Sequence, residues 1–305
     1  MAFDRIRHRL KQGRPLVIDS DTCASFRTHG VHVDSPGAVG VLLRENPSDV
    51  LRHYRNEVLN RVDVLRALTA DTTPRALAEV GMDYRAAALT GRAVDLAFEA
   101  AEAGPKPVAV AGVLGSEMVG PVAAGRLQEE YTEHALRLAA GGCELIIARG
   151  QGSRLELTSA VVAALETGLP TWAVIECSPD GTPLINGAIA EVISELEQSG
   201  VGVVLFEVPS TDHGVTQLQH FKQVESSRIV PGVLLAGGPD SVRGFPDEGS
   251  NPGLWARNAL DLDANGARAI GGGAGTTEEH TALLAQALGE LHPSIPAPRP
   301  SDTPG

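Results

Sequence analysis

Short apolar runs alternate with amphipathic stretches eight times along the chain. Pro15 to Asp19, Val62 to Thr69, Pro107 to Gly112 and Cys143 to Arg149 read as the first four strands. Pro170 to Glu176, Val201 to Glu207, Pro231 to Ala236 and Ala267 to Gly271 read as the last four. Several are continuously apolar rather than alternating, the pattern of parallel strands covered on both faces. Between them, Glu130 to Ala140, Leu155 to Leu165 and Ala188 to Leu196 gather apolar side chains on one helical face. Gly141, Gly142 and Gly200 fall where helices should end. Thr276 with Glu279 reads as a capping box opening a helix over Thr281 to Leu291. Eight strand–helix units predict a single-domain α/β fold, a (β/α)8 TIM barrel over 1–291, with a doubly wound sheet as the alternative. The proline-rich stretch 292–305 is expected to be a disordered tail, and Gly237 to Gly253 a long loop on the catalytic side.

Composition narrows the function. Of 305 residues 43% are hydrophobic and 21% charged, enough for a sizeable core and too apolar for disorder. The net charge of −13 argues against a nucleic-acid binder, while leaving room for a small anion held by a local arginine. No run of membrane-spanning length occurs, and Arg5, Arg7, Arg9, Lys11 and Arg14 near the N-terminus precede no signal-like apolar segment. A cytoplasmic protein acting on a small molecule is expected, compatible with a homo-oligomer, with no nucleic-acid or membrane partner. Cys23, Cys143 and Cys177 lie far apart and read as reduced thiols. The nine histidines, His53 among them, show no metal-ligand spacing and read mostly as surface residues; Arg52, Arg55 and Glu57 read as a solvated helix face.

Barrel enzymes place their chemistry at the C-terminal ends of the strands. That rule selects Asp19, Asp21 and Thr22 after the first strand, Thr69 and Asp71 after the second, and Arg149, Glu176 and Glu207 after the fourth to sixth. Glu207 or Asp19 is the candidate general base, and Arg149 the anchor for a substrate carboxylate. Asp21, Thr22, Thr69 and Glu176 are candidate substrate contacts. So are Gly272, Gly273 and Thr276, in a glycine-rich loop whose N–H groups suit an anion.

Several segments, in order, resemble homocysteine S-methyltransferases. Ile270-Gly-Gly-Gly-Ala-Gly-Thr-Thr-Glu-Glu-His280 resembles the family's closing signature. Leu16-Val-Ile-Asp19 with Arg27-Thr-His-Gly-Val31 resembles its opening, Asp63-Val-Leu and Thr69 its second strand, and Val110-Ala-Gly-Val-Leu-Gly115 its third. Pro170-Thr-Trp-Ala-Val with Asp180 and Gly181 resembles its fifth unit. The resemblance implies a barrel that transfers methyl groups with zinc on three cysteines. Those positions are Val208, Gly273 and Ala274 here, Arg149 replaces a glutamate, Glu207 an asparagine, and Arg66-Ala-Leu-Thr69 a threonine-rich strand end. Zinc matters because a free thiol of pKa about 8.5 is only about 3% thiolate at pH 7, about 2 kcal/mol uphill. The expectation is therefore a transferase without zinc or another cofactor. It would move a methyl or alkyl group from S-adenosylmethionine or another onium co-substrate to an acceptor other than homocysteine. The alternatives are a non-catalytic homologue that binds a metabolite or partner, and a phosphate-ligand barrel enzyme.

Overall fold

The structure is a computed structural model that describes residues 2–115, 123–185, 187–224, 228–238 and 249–292. The chain opens with α1 (Ala2–Lys11), β1 (Leu16–Ile18), α2 (Thr22–Thr28), α3 (Ala38–Glu45) and α4 (Pro47–Leu59). It continues through β2 (Val64–Ala67), α5 (Pro74–Ala78), α6 (Ala86–Glu102), β3 (Ala109–Leu114), α7 (Ala124–Ala140), β4 (Leu145–Arg149) and α8 (Arg154–Glu166). Then follow β5 (Thr171–Glu176), α9 (Ile189–Ser199), β6 (Val203–Val208), α10 (Thr211–Lys222), β7 (Val230–Leu235), α11 (Pro252–Ala264), β8 (Ala269–Gly272) and α12 (Glu278–Leu291). The strands pair in parallel in sequence order, and β8 returns to β1 with Leu16 beside Ala269, closing a (β/α)8 barrel. The doubly wound alternative is set aside by that closure.

Strand side chains alternate between two environments. Leu16 and Ile18, Leu145 and Ile147, Trp172 and Val174, and Val203 and Leu205 fill the barrel interior. Val17, Leu65, Ile146, Ala173 and Val204 face out, into the layer shared with the helices. At the N-terminal end of the barrel, α1 packs Phe3, Ile6 and Leu10, spaced three and four apart, against the interior cluster. Burying Ile6 this way stabilises the plug by about 2 kcal/mol.

Strand ends are shorter than the apolar runs suggested, for local reasons. Ahead of β2, the Asp63 carboxylate accepts from the backbone N–H of Val17 at 3.0 Å. Thr69 turns back at once, its N–H donating to Ala67 O at 2.8 Å. The last helix starts at Glu278, and its capping box is Thr277 with His280, not Thr276 with Glu279. Thr276 is unavailable as a cap because its hydroxyl already accepts from Asp21 N and donates to Gly273 O. Glu57, expected on a solvated face, is fully buried, and His53, His134 and His280 are buried as well. Of the expected tail, 293–305 lies outside the described residues, as does 239–248 of the long loop. His292 is described, with Nε2 2.7 Å from Asp263 Oδ2. No described helix is long and apolar enough to cross a membrane.

Candidate functional site

A charged layer lies on top of the apolar interior. Arg66, Arg149, Glu176 and Glu207 each stand two residues after an inward-facing aliphatic: Val64, Ile147, Val174 and Leu205. Period-two alternation therefore turns all four inward at the C-terminal end of the barrel. Glu176 and Glu207 are register neighbours on β5 and β6, an arrangement that like charges tolerate only with a shared counter-ion. Arg149 supplies it: its Nε donates to Glu176 Oε1 at 3.3 Å and its Nη2 to Glu207 Oε2. Glu176 Oε2 accepts from Gly152 N at 3.2 Å, fixing the carboxylate behind the arginine. All three residues are buried, so these charges attract more strongly than they would in water.

The opposite wall is built by β1, β2 and β8. Arg66 donates through Nε to Asp19 Oδ1 at 2.7 Å and through its backbone N–H to Oδ2 at 2.9 Å. Its Nη2 donates to the carbonyls of Asp19, Ser20 and Gly272 at 2.8, 2.7 and 2.9 Å. Asp19 is fully enclosed, and burial pushes its carboxyl up while Arg66 opposes the shift. With both oxygens held by Arg66, it does not reach the cavity, which corrects its expected role as a base facing substrate. It orients Arg66 instead.

The cavity between these walls encloses about 110 Å³. Arg27, Arg66 and Arg149 reach it, as do Asp21, Asp71 and Glu207. Asp21 caps α2 through the N–H of Cys23 and accepts from Gly275 N at 3.1 Å, tying β1 to the glycine-rich loop after β8. Arg27 lies 3.7 Å from Asp21 and 2.5 Å from Asp34. Thr69 lines the floor, its hydroxyl bridged to the backbone of Val113. His134 donates from Nε2 to Thr69 O, and burial holds it neutral, with a pKa lowered to about 4.

Of the residues singled out in the sequence, Glu207, Arg149, Asp21, Thr22, Thr69 and Gly273 border the cavity. Asp19, Glu176, Gly272 and Thr276 stand behind it. Gly272 is confined: a Cβ there would lie 2.2 Å from Thr276 Oγ1 and 2.7 Å from Ser20 Cα. Arg66 and Arg27 were not singled out. The parity of β2, with Val64 inward, was the signal for Arg66.

Behind the Ser20 backbone lies a buried ionisable group. Ser20 donates from both N and Oγ to Glu57 Oε1, with the N–H at 3.1 Å. Burial pushes Glu57 up to about 7. His53 Nδ1 meets Glu278 Oε1 at 2.7 Å, and Ser25 Oγ donates to Glu278 Oε2 at 2.6 Å. Burial opposes the Glu278 charge, yet His53 and Ser25 outweigh it and hold that carboxyl at about 2.

A family model described as homocysteine S-methyltransferase matches residues 17–288. The metallated form of the Escherichia coli homocysteine methyltransferase MmuM is similar in structure, with a TM-score of 0.77 at 18% identity, covering 92% of this chain and 99% of that one. Its oxidized form gives a TM-score of 0.79, with the same identity and coverage. The carboxyl transferase domain of Rhizobium etli pyruvate carboxylase shares the fold more distantly, at TM-score 0.55 and 12% identity, over 94% of this chain and 47% of that one. No curated protein matches.

The expectation of a transferase without zinc or another cofactor is corrected by the metallated form of MmuM. The positions that the resemblance assigns to cysteine ligands are Val208, Gly273 and Ala274, whose side chains carry no donor atom. Cys177, just after β5, is buried, and its thiol is pushed up to about 12 by burial and then by Glu207 and Glu176. Among the described residues no group of three or more His, Cys, Asp or Glu could hold a metal ion. The side chains described here do not fit a three-thiolate site.

Proposed function

The chain belongs to the homocysteine S-methyltransferase family, and from that premise we propose that it is a transferase of methyl or alkyl groups. The donor is a sulfonium or other onium compound, S-adenosylmethionine among them, and the acceptor is a small molecule other than homocysteine. The observation that carries this reading is the buried Arg149–Glu207 pair facing the cavity, backed by Glu176, at the catalytic end of the barrel. The acceptor's lone pair attacks the methyl carbon as that carbon's bond to the onium atom breaks, and the bonding pair leaves with the onium atom, as a neutral thioether from a sulfonium or a neutral amine from an ammonium donor. The proton released by the acceptor passes to Glu207, and Arg149 orients an anionic group of the substrate. Asp21, Asp71 and Glu207 border the cavity beside Arg27, Arg66 and Arg149, so it offers carboxylates to the onium group and guanidinium groups to an anionic part of the substrate. Cys23, Cys143 and Cys177 form no disulfide among the described residues, in accord with a cytoplasmic setting.

Thermal melting against S-adenosylmethionine, S-methylmethionine and betaine tests the donor class. A ligand at about 100 times its dissociation constant adds about 2.7 kcal/mol. That is a rise of roughly 5–11 °C for a chain of this size. A panel without any shift refutes the onium-donor reading.

A further inference from the structure

A second cavity, of about 810 Å³, opens at the opposite end of the barrel, where the strands begin. Its walls are α1, the turn from α4 into β2, Lys106 ahead of β3, and the C-terminal half of α12. Arg5, Arg9, Arg14, Arg61 and Lys106 line it, opposed by two carboxylates, Asp63 and Glu290. This excess of positive charge runs against a whole-chain balance of −13.

Among the described residues the carboxylates pair with Arg9 and Lys106 but not with Arg5 or Arg61. Asp63 is buried and serves both Arg9 and Lys106, the latter at 2.7 Å through Nζ. Glu290 accepts from Gln286 Nε2 at 3.1 Å. Arg5 donates to the carbonyl of Pro107 at 3.3 Å and has no carboxylate partner among the described residues. It stands one turn from Arg9 on the same helix, where like charges repel by about 0.2–0.5 kcal/mol. The Arg61 guanidinium has no hydrogen bond or ion pair among the described residues, and its backbone sits at φ 68°, a region that favours glycine and asparagine. Burial holds the Lys106 ammonium below the ordinary lysine range; Asp63 opposes this, and Arg9 and Arg5 add to it. A groove that keeps cations in such positions is prepared for an anion from outside.

We propose that this groove binds a compact polyanion of the phosphate class, at a site separate from the cavity among the strand ends. Guanidinium forks match phosphate oxygens in pairs, and Lys106 adds a point charge. Compactness follows from the field. An extended polyanion, such as a nucleic acid or an anionic membrane, reaches beyond the groove to a chain of net charge −13, whereas a short phosphate chain fits inside the local positive well.

Calorimetric titration of the full chain with inorganic tripolyphosphate tests the proposal. The expected result is saturable one-site binding that weakens several-fold as salt rises from about 50 to 200 mM. The double variant Arg5→Gln, Arg61→Asn removes two cations, and asparagine suits the positive φ. It should bind about tenfold more weakly, while Arg55→Gln, which unpairs an exposed arginine from Glu99 elsewhere, leaves binding unchanged. Arg61→Asn alone gives a smaller loss in the same direction and keeps the test usable if the double variant folds poorly. Absence of saturable binding, unchanged affinity in a folded Arg5→Gln, Arg61→Asn protein, or an equal loss in Arg55→Gln overturns the proposal.

Discussion

Replacing Arg66 by methionine probes the charged layer where it is most enclosed. The substitution removes the ion pair with Asp19, whose side chain has no solvent exposure, and the Nη2 hydrogen bonds to three carbonyls. Leaving one partner of a buried pair uncompensated costs about 3–5 kcal/mol. At roughly 2–4 °C per kcal/mol, melting should fall by roughly 6–20 °C. The sign of the pH dependence follows from Asp19. Burial already raises its folded pKa above the ordinary 3.8, and Arg66 is what opposes that shift. Without Arg66 the folded pKa rises further, so the variant is least impaired in acid and loses stability as pH rises through that value. Melting by circular dichroism at about pH 5 and pH 8 should show the larger deficit at the higher pH. The double variant Arg66→Met, Asp19→Leu exchanges the pair for apolar groups and should recover most of the loss. A deficit under about 1 kcal/mol, a deficit independent of pH, or no recovery in the double variant refutes the reasoning.

The Glu57–His53 group gives the wild-type protein its own pH signature. Glu57 rises from 4.5 to about 7 on folding, and His53 also rises, since Glu278, Glu57 and Asp19 together outweigh the effect of its burial. Both contributions are fully present at low pH and are lost as pH rises through the folded values, so the melting temperature should fall from about pH 5 to pH 8. Glu278, held at about 2, adds a loss of stability only in strong acid. Glu57→Gln keeps an acceptor for Ser20 and should flatten the decline above about pH 5; an unchanged slope refutes the assignment.

The barrel was legible because apolar runs and amphipathic stretches alternate with the regularity that parallel strands and their covering helices need. The acidic and basic strand ends at Arg149, Glu176 and Glu207 were legible from the same rule. Asp19 was misjudged because strand-end position says nothing of the partner, and Arg66, which occupies both its oxygens, lies 47 residues further along the chain. Glu57 was misplaced because α4 carries charged residues on a face that α12 and Ser20 cover, and that covering is tertiary: Thr281 Oγ1 approaches Glu57 Oε1 at 3.4 Å across 224 residues. The capping box was shifted by one residue because the Thr276 hydroxyl is drawn inward by Asp21 and Gly273. The plug formed by α1 escaped notice because its arginines masked the apolar positions Phe3, Ile6 and Leu10.

The central claim is group transfer at the cavity that Glu207 borders. The most direct measurement follows an isotope-labelled methyl group from S-adenosylmethionine or S-methylmethionine into small-molecule acceptors, with wild type and Glu207→Gln side by side. The prediction is labelled product from the wild type and a loss of about 100-fold or more in a Glu207→Gln protein that melts like the wild type. Equal product from both proteins, or none from the wild type with either donor, contradicts the account.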